Sequence, residues 1–210
     1  MASRLSSATM VFSCIKGRGY EEVSDNICGG SSMVEQLTFQ LEEGGSIPTS
    51  PFQFKIKEMS ARGACILNSR WHSRLPVLPW SNVVRSHLYV CYGAMFNNEW
   101  WAVGIWSSPV NQAFDMDSVL ELRRMAIAPE APKNTASRMI KIMIALIRKR
   151  LPTITRLISY QDTEVHKGTI YKASGWENIT VVTYRPWNKT RQRDNEQSTA
   201  DKIRWEYCWK

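Results

Sequence analysis

The sequence predicts an α/β (α+β) chain: a single domain built on a mixed β-sheet flanked by helices. Three observations carry this. Strand-like and helix-like stretches alternate from residue 118 to 185, as in a sheet covered by helices. Upstream, two aromatic and β-branched runs flank Asn97-Asn98, the pattern of a hairpin. A chain of 210 residues with 43% apolar content has enough apolar side chain for one full core.

Residues 1–50 are rich in Ser and Gly and, apart from the short "VEQLTFQL", lack sustained periodicity, so they read as an irregular arm. The domain proper is expected over 51–186. "FQFKIKEM" alternates like a strand, and Ser60 is a plausible N-cap for the helical "ARGACILNSRW", with His72 just past its end. Residues 87–96 and 99–109 make the hairpin, because Asn tolerates the positive φ that a tight turn needs. "SVLELRRMAIAP" is a strand stopped by Pro129. Asn134 then opens a helix with Ile140, Ile144 and Ile147 on one face, Met143 beside them, and Arg148, Lys149 and Arg150 at its C-terminus, where cations suit the dipole. "ITRLISY" is a strand, "EVHKGTIYKASG" a short helix ending at Gly175, and "ENITVVTYRPW" a last strand ended by Pro186. Residues 187–210 form a basic, aromatic tail, and no internal repeat is visible.

Composition narrows the functional classes. The longest apolar stretch, "MIKIMIALI", contains Lys141 and is about half the ~20 residues of a membrane span. The N-terminus lacks the pattern of a secretory signal, so the expected location is the cytoplasm. The five cysteines include no C-x-x-C pair and have no histidine at zinc-ligand spacing, which points to reduced, structural thiols. A net charge of +8 suits a polyanionic partner.

Two segments carry candidate chemistry. Between Met125 and Arg138 the chain runs strand, turn, helix, and Lys133, Asn134, Ser137 and Arg138 surround a helix start whose free N–H groups suit a phosphate. The following strand should deliver Tyr160 and Asp162 to its carboxyl end, where open α/β sheets gather ligands, with His166 and Tyr171 on the next turn and helix. A carboxylate there can accept a proton from an amine, and a tyrosine or histidine can relay one. The same residues also have a structural reading in which Asp162 caps the helix, His166 faces solvent, and Tyr171 and Trp176 pack.

"ELRRMAI", "APKNTASRM", "ISYQD", "HKGTIYKASGW" and the upstream "WHSRLP" together resemble the Mom family of phage DNA-modification proteins, collinearly over roughly residues 52–185. The element order resembles the N-acetyltransferase (GNAT) fold. The resemblance implies a transferase that converts adenine in phage DNA to its N6-carbamoylmethyl form and so protects it from host restriction. It carries over His72, Tyr160, Asp162 and Tyr171 as catalytic candidates. The donor, acetyl-CoA or another acyl or aminoacyl carrier, falls to Met125, Ile127, Lys133, Asn134, Ser137 and Arg138. Two departures stand out. Ser73 replaces the tyrosine that usually follows the family histidine, and Asn134 stands where the acetyltransferase phosphate loop expects glycine.

Such a site would orient a flipped adenine and take a proton from its amine, with Asp162 as acceptor. Trp80, Trp100, Trp101 or Trp106 could wall the base, though tryptophans this numerous usually pack. Arg148, Lys149 and Arg150, with Arg191 and Arg193 of the tail, are candidate contacts to double-stranded DNA, and equally describe a solvated helix end and a packed tail. Alternation lets only one of Arg123 and Arg124 face the site. Charged tRNA is a possible donor carrier, and a metal on His72, Asp162 and His166 is neither required nor forbidden. Amino-methyl transfer is set aside for want of an Asn/Asp-Pro-Pro-aromatic run. An N-acetyltransferase of small amines or proteins, or a DNA-binding protein without chemistry, are the alternatives.

Overall fold

In the computed structural model residues 55–72, 77–183 and 200–209 are described; all fall within the unit Val34–Lys210. In chain order the elements are β1 (Lys55–Glu58), α1 (Ala61–Trp71), α2 (Trp80–Val84), β2 (Tyr89–Phe96), β3 (Glu99–Ser107), β4 (Val119–Ile127), α3 (Thr135–Arg150), β5 (Arg156–Asp162), α4 (Thr169–Ala173), β6 (Glu177–Val182) and β7 (Lys202–Cys208). The strands form one sheet in the order β1-β2-β3-β4-β5-β7-β6. Only β4 and β5 pair in parallel, so the sheet is mixed, as expected from the sequence.

Local chemistry sets the element ends. The Ser60 hydroxyl accepts the Gly63 N–H at 3.2 Å and starts α1. Asn97 and Asn98 turn the hairpin at φ 47° and 63°. α1 then buries Ala61, Ala64, Cys65 and Asn68, spaced at i, i+3, i+4 and i+7, on one side of the sheet. Cys65 packs there with Cys91, Val103, Ile105 and Ala126. α3 lies on the other side, where Met139, Ile140, Met143, Ile144 and Ile147 meet Trp106, Leu120, Leu122 and Leu157. Each such side chain contributes roughly 1.5–3 kcal/mol by burial. Cys65 and Cys91 are buried free thiols, and burial pushes Cys91 up to about 12, which keeps it protonated and inert.

Two features of this architecture were not foreseen. The segment read as a tail supplies β7 from Lys202 to Cys208, inserted between β5 and β6, with Ile203, Trp205 and Tyr207 on the α3 side. A short helix, α2, follows α1. The arm 1–50, Ser73, Arg191 and Arg193 lie outside the described residues.

The decisive feature is where β4 and β5 part. Their pairing runs from Val119↔Arg156 to Leu122↔Ser159 and stops, although β4 continues to Ile127 and β5 to Asp162. On its other side β4 sets Leu122 opposite Trp106 and Arg124 opposite Ile105, so Arg123 is one extra residue, a β-bulge. Bulges increase local twist, which turns the end of β4 away from β5. Backbone groups of Arg123–Ile127 and Tyr160–Asp162 therefore face a gap, and α3 begins at the same end of the sheet.

Candidate functional site

Four segments meet at that gap. From β5, Tyr160 and Asp162 project to the α1 side, since Leu157 and Ser159 alternate to the α3 side. Asp162 Oδ1 accepts the Glu164 N–H at 3.0 Å and its carbonyl accepts the His166 N–H at 3.1 Å. Asp162 thus shapes the turn after β5 and does not cap α4. The α4 N-cap is Gly168, at φ 70°.

Gln161, which the sequence did not single out, fixes that turn. Its Oε1 accepts from Trp205 Nε1 at 2.7 Å, and its Nε2 donates to the His166 carbonyl. Gln161 is 4% exposed, so both bonds are made in the dry interior. Its place on β5 between Tyr160 and Asp162 carries no pattern that singles it out in the sequence.

His72 arrives from the end of α1, its N–H bonded to the Asn68 carbonyl at 2.8 Å. Burial lowers its pKa, and the charges of Arg124 and His166 lower it further. These three side chains therefore share one neighbourhood, and His72 is neutral near pH 7. Arg123 is the extra residue of the bulge, so strict strand alternation does not decide which of the two arginines faces the site, and the charges of both act on Glu121 and on Cys65 of α1. Arg124 Nε is buried without a hydrogen-bond partner, and burial lowers its pKa.

Glu121 is a further residue that sequence reasoning passed over. It is 8% exposed, its Oε2 accepts the Val110 N–H at 3.0 Å, and burial raises its pKa against the opposing pull of that bond, Arg123, Arg124 and Lys202. Burial likewise raises the Tyr160 phenol, with Glu121 adding to the effect and Arg204 opposing it. The α1 side of the gap is thus a mixed acid, arginine and phenol surface.

Tyr171 lies on the opposite side of the sheet. Its ring stacks on Trp205 at 5.4 Å between centroids, and its hydroxyl meets Ser159 Oγ at 2.9 Å. It touches the gap only through Ser159. Trp106 is fully buried and stacks on Trp176; Trp80 is half exposed on α2.

On the donor side, Asn134 takes the left-handed conformation at φ 67° and its side chain makes no capping bond, unlike the N-cap expected of it. The first helical bond runs from Arg138 N–H to the Asn134 carbonyl, so the N–H groups of Ala136 and Ser137 point out of the helix start. No acidic residue occupies the first turn of α3. Lys133 and Asn134 are exposed, Ser137 and Arg138 half-buried, and Met125 and Ile127 line the open edge of β4. Free N–H groups at a helix tip can take a phosphate, and the unpaired edge of β4 offers backbone groups to an extended chain.

Arg148, Lys149 and Arg150 are brought nowhere near Asp162. They are exposed at the far end of α3, about 24 Å along the helix from its start. There Arg150 pairs with Glu58 on β1, four strands from β5. Among the described residues no group of three or more His, Cys, Asp or Glu side chains is placed to hold a metal ion. No described helix is long and apolar enough to cross a membrane.

The Mom protein family matches residues 81–207. No curated protein matches the chain in sequence. Among solved structures, the ribosomal-protein-S18-alanine N-acetyltransferase from Escherichia coli is similar at 15% identity and a TM-score of 0.52, over 74% of this chain and 93% of that one. The ribosomal-protein-S5-alanine acetyltransferase from Vibrio fischeri gives 10% and 0.54, over 82% and 96%. AAC(6')-Ib in complex with ribostamycin and coenzyme A gives 12% and 0.53, over 74% and 93%. At these identities the likeness establishes a GNAT-like fold.

Proposed function

The chain belongs to the Mom protein family, and from that premise we propose that it is a transferase acting on the exocyclic amine of adenine in DNA, converting it to the N6-carbamoylmethyl form. The observation that carries the proposal is the parting of β4 and β5 after Leu122 and Ser159, with Tyr160 and Asp162 at the opening and the α3 tip at the same end of the sheet. The likeness to acetyltransferase folds, one of them described with acetyl-CoA bound, supports a coenzyme-borne donor; transfer of a plain acetyl group would give N6-acetyladenine, so the carbamoylmethyl product needs a donor activated at its methylene carbon.

The N6 lone pair is delocalised into the purine ring, so the amine needs orientation and a proton acceptor as the new bond forms. Asp162 takes that proton. Tyr160, two residues earlier on the same face, holds the base edge. Neutral His72 is an acceptor able to relay the proton outward. Arg123 and Arg124 hold positive charge beside the reacting centre, in a partly desolvated place where charge acts strongly. The donor's head is held by the N–H groups of Ala136 and Ser137, with Lys133 and Arg138 beside them. When bound, the donor would supply a carbamoylmethyl unit carrying a leaving group on its methylene carbon: N6 bonds to that carbon, the leaving group departs with the electron pair of the broken bond, and Asp162 keeps the N6 proton.

Nucleoside mass spectrometry on DNA from cells expressing the chain, and from cells expressing Asp162→Asn, tests this. A modified deoxyadenosine in the first sample and not in the second supports the proposal. Unmodified deoxyadenosine beside acetylated polyamine or peptide replaces it with an ordinary N-acetyltransferase. DNA binding without a modified base in either sample leaves a binding protein.

A further inference from the structure

Three cations of the described structure share the sheet face that presents Tyr160 and Asp162. Arg156 lies on β5, four residues before Tyr160, so it points the same way. On β7, Arg204 stands directly opposite Tyr160 and Lys202 opposite Asp162, and cross-strand partners share a face. α1 packs on β2, β3 and β4. Over β5 and β7 on this side lies the β3–β4 connection, whose Phe114 ring has the Arg156 guanidinium at 5.3 Å and that of Arg204 at 5.4 Å. Two guanidinium groups from adjacent strands are thus held against one aromatic ring, an arrangement that fixes long side chains ahead of any partner.

The local charge favours an anion. Glu206 is 8% exposed and shared by both arginines, with Arg204 Nε 2.9 Å from its Oε1 and Arg156 3.7 Å from its Oε2. One buried carboxylate between two guanidinium groups leaves positive charge on their outer sides, and the Arg156 side chain remains 36% exposed. Lys202, Arg123 and Arg124 continue the same sign toward the gap. Glu121 there is buried, Asp162 is assigned to chemistry, and the exposed Asp115 beside Phe114 and Asp201 beside Lys202 are engaged with their own loops, Asp115 through Ser118 and Asp117 and the Asp201 carbonyl through Thr163.

We propose that the Arg156–Arg204–Lys202 strip, braced by Phe114, binds the sugar-phosphate backbone of the duplex DNA that presents the target adenine. The inference rests on the proposed function, because that reading makes DNA the acceptor and puts its amine on the Asp162 side of the sheet. A donor carrier, whether a nucleotide or a tRNA end, reaches the gap from the α3 tip on the other side, so the strip is left to the acceptor. The basic cluster at the end of α3 then has no part in binding it.

The test is the salt dependence of binding to a short adenine-containing duplex, followed by fluorescence anisotropy, for the full chain, Lys202→Gln, Arg156→Gln, and the control Arg148→Gln/Lys149→Gln. Each lost phosphate contact should reduce the slope of log K against log salt by about 0.9. Lys202→Gln and Arg156→Gln should each show that reduction and bind several-fold more weakly, and the control should match the parent. Thermal melts identify a variant that fails to fold, and Lys202→Gln, which breaks none of the Glu206 ion pairs, keeps the test decisive if Arg156→Gln is unstable. Parent-like slopes in both strip variants, or a reduced slope in the control alone, would overturn the proposal. So would a reduction seen with tRNA and not with the duplex. Binding needs no turnover: loss of slope in a chain that leaves no modified adenine in DNA would uphold the strip and remove the proposed reaction, while modified adenine with unchanged slopes would do the reverse.

Discussion

The Tyr171 hydroxyl lies 2.9 Å from Ser159 Oγ, and Ser159 in turn donates to the Leu122 carbonyl at 3.2 Å. With the serine proton engaged, the phenol is the donor. Leu122 and Ser159 are the last paired rung before β4 and β5 separate, so this chain of bonds pins the point at which the gap opens. It runs on the α3 side of the sheet, away from Asp162.

Replacing Tyr171 by Phe removes one buried hydrogen bond and leaves Ser159 bonded to Leu122. A loss of about 1 kcal/mol of stability is expected, read as a lower melting temperature, with most of the modifying activity retained. Asp162→Asn, by contrast, should cost at least about 100-fold in rate, the lower end of general-base effects, with little change in melting. Equal losses of rate in the two variants at unchanged stability would move Tyr171 into the proton path.

Gly168 starts α4 at φ 70°, and a Cβ there would sit 2.5 Å from Gln161 Oε1 and 2.6 Å from Trp205 Cζ2. Gly168→Ala therefore combines left-handed strain with a collision against the residue that holds His166. A cost of about 1–3 kcal/mol is expected, together with loss of activity, because the turn carrying His166 cannot keep its place. A melting temperature equal to that of the parent would show that α4 can rotate away freely.

Much of this was legible in the sequence, because the signals were local. Ser60, the Asn97-Asn98 turn and the Ile140–Ile147 stripe are each decided by residues within a turn or two of chain. The place of β7 was not. Ile203, Trp205 and Tyr207 alternate with Lys202, Arg204 and Glu206 as a half-buried strand should, but the partners of β7 lie twenty or more residues away, and the charges read as a tail. The Arg123 bulge was hidden for a related reason. An extra residue is defined only against the register of β3, which sequence periodicity does not contain. The Gln161 clamp depends on Trp205 across that same unforeseen strand pair.

Two groups at the gap give opposite pH signatures. Burial raises the Glu121 pKa above its ordinary 4.5, so the folded state holds a proton there that the unfolded chain has released. Its stabilising contribution is present below 4.5 and falls as pH rises through the folded value. His72 is shifted down from 6.5; its contribution is complete above 6.5 and falls as pH drops through the folded value. Melting temperatures measured against pH should therefore separate them. Relative to the parent, Glu121→Gln should gain stability toward neutral pH and His72→Gln toward acid pH. Parallel curves for parent and variants would show that neither group changes its proton affinity on folding.

Asn134 holds φ 67° with no side-chain capping bond in return, at the position where the acetyltransferase pattern has glycine. Left-handed backbone is accessible to Asn but costs less for Gly, and a Cβ at this point keeps a phosphate farther from the Ala136 and Ser137 N–H groups. Asn134→Gly should thus leave the fold as stable as the parent or better by up to about 1 kcal/mol, since the lost strain is partly offset by the greater freedom of glycine in the unfolded chain. If the α3 tip holds the donor's phosphates, the same variant should bind that donor more tightly, seen as a lower KM for the donor with kcat little changed. A higher KM at unchanged stability would mean that the Asn134 amide itself contacts the donor, and an unchanged KM would move the donor's phosphates off the helix tip.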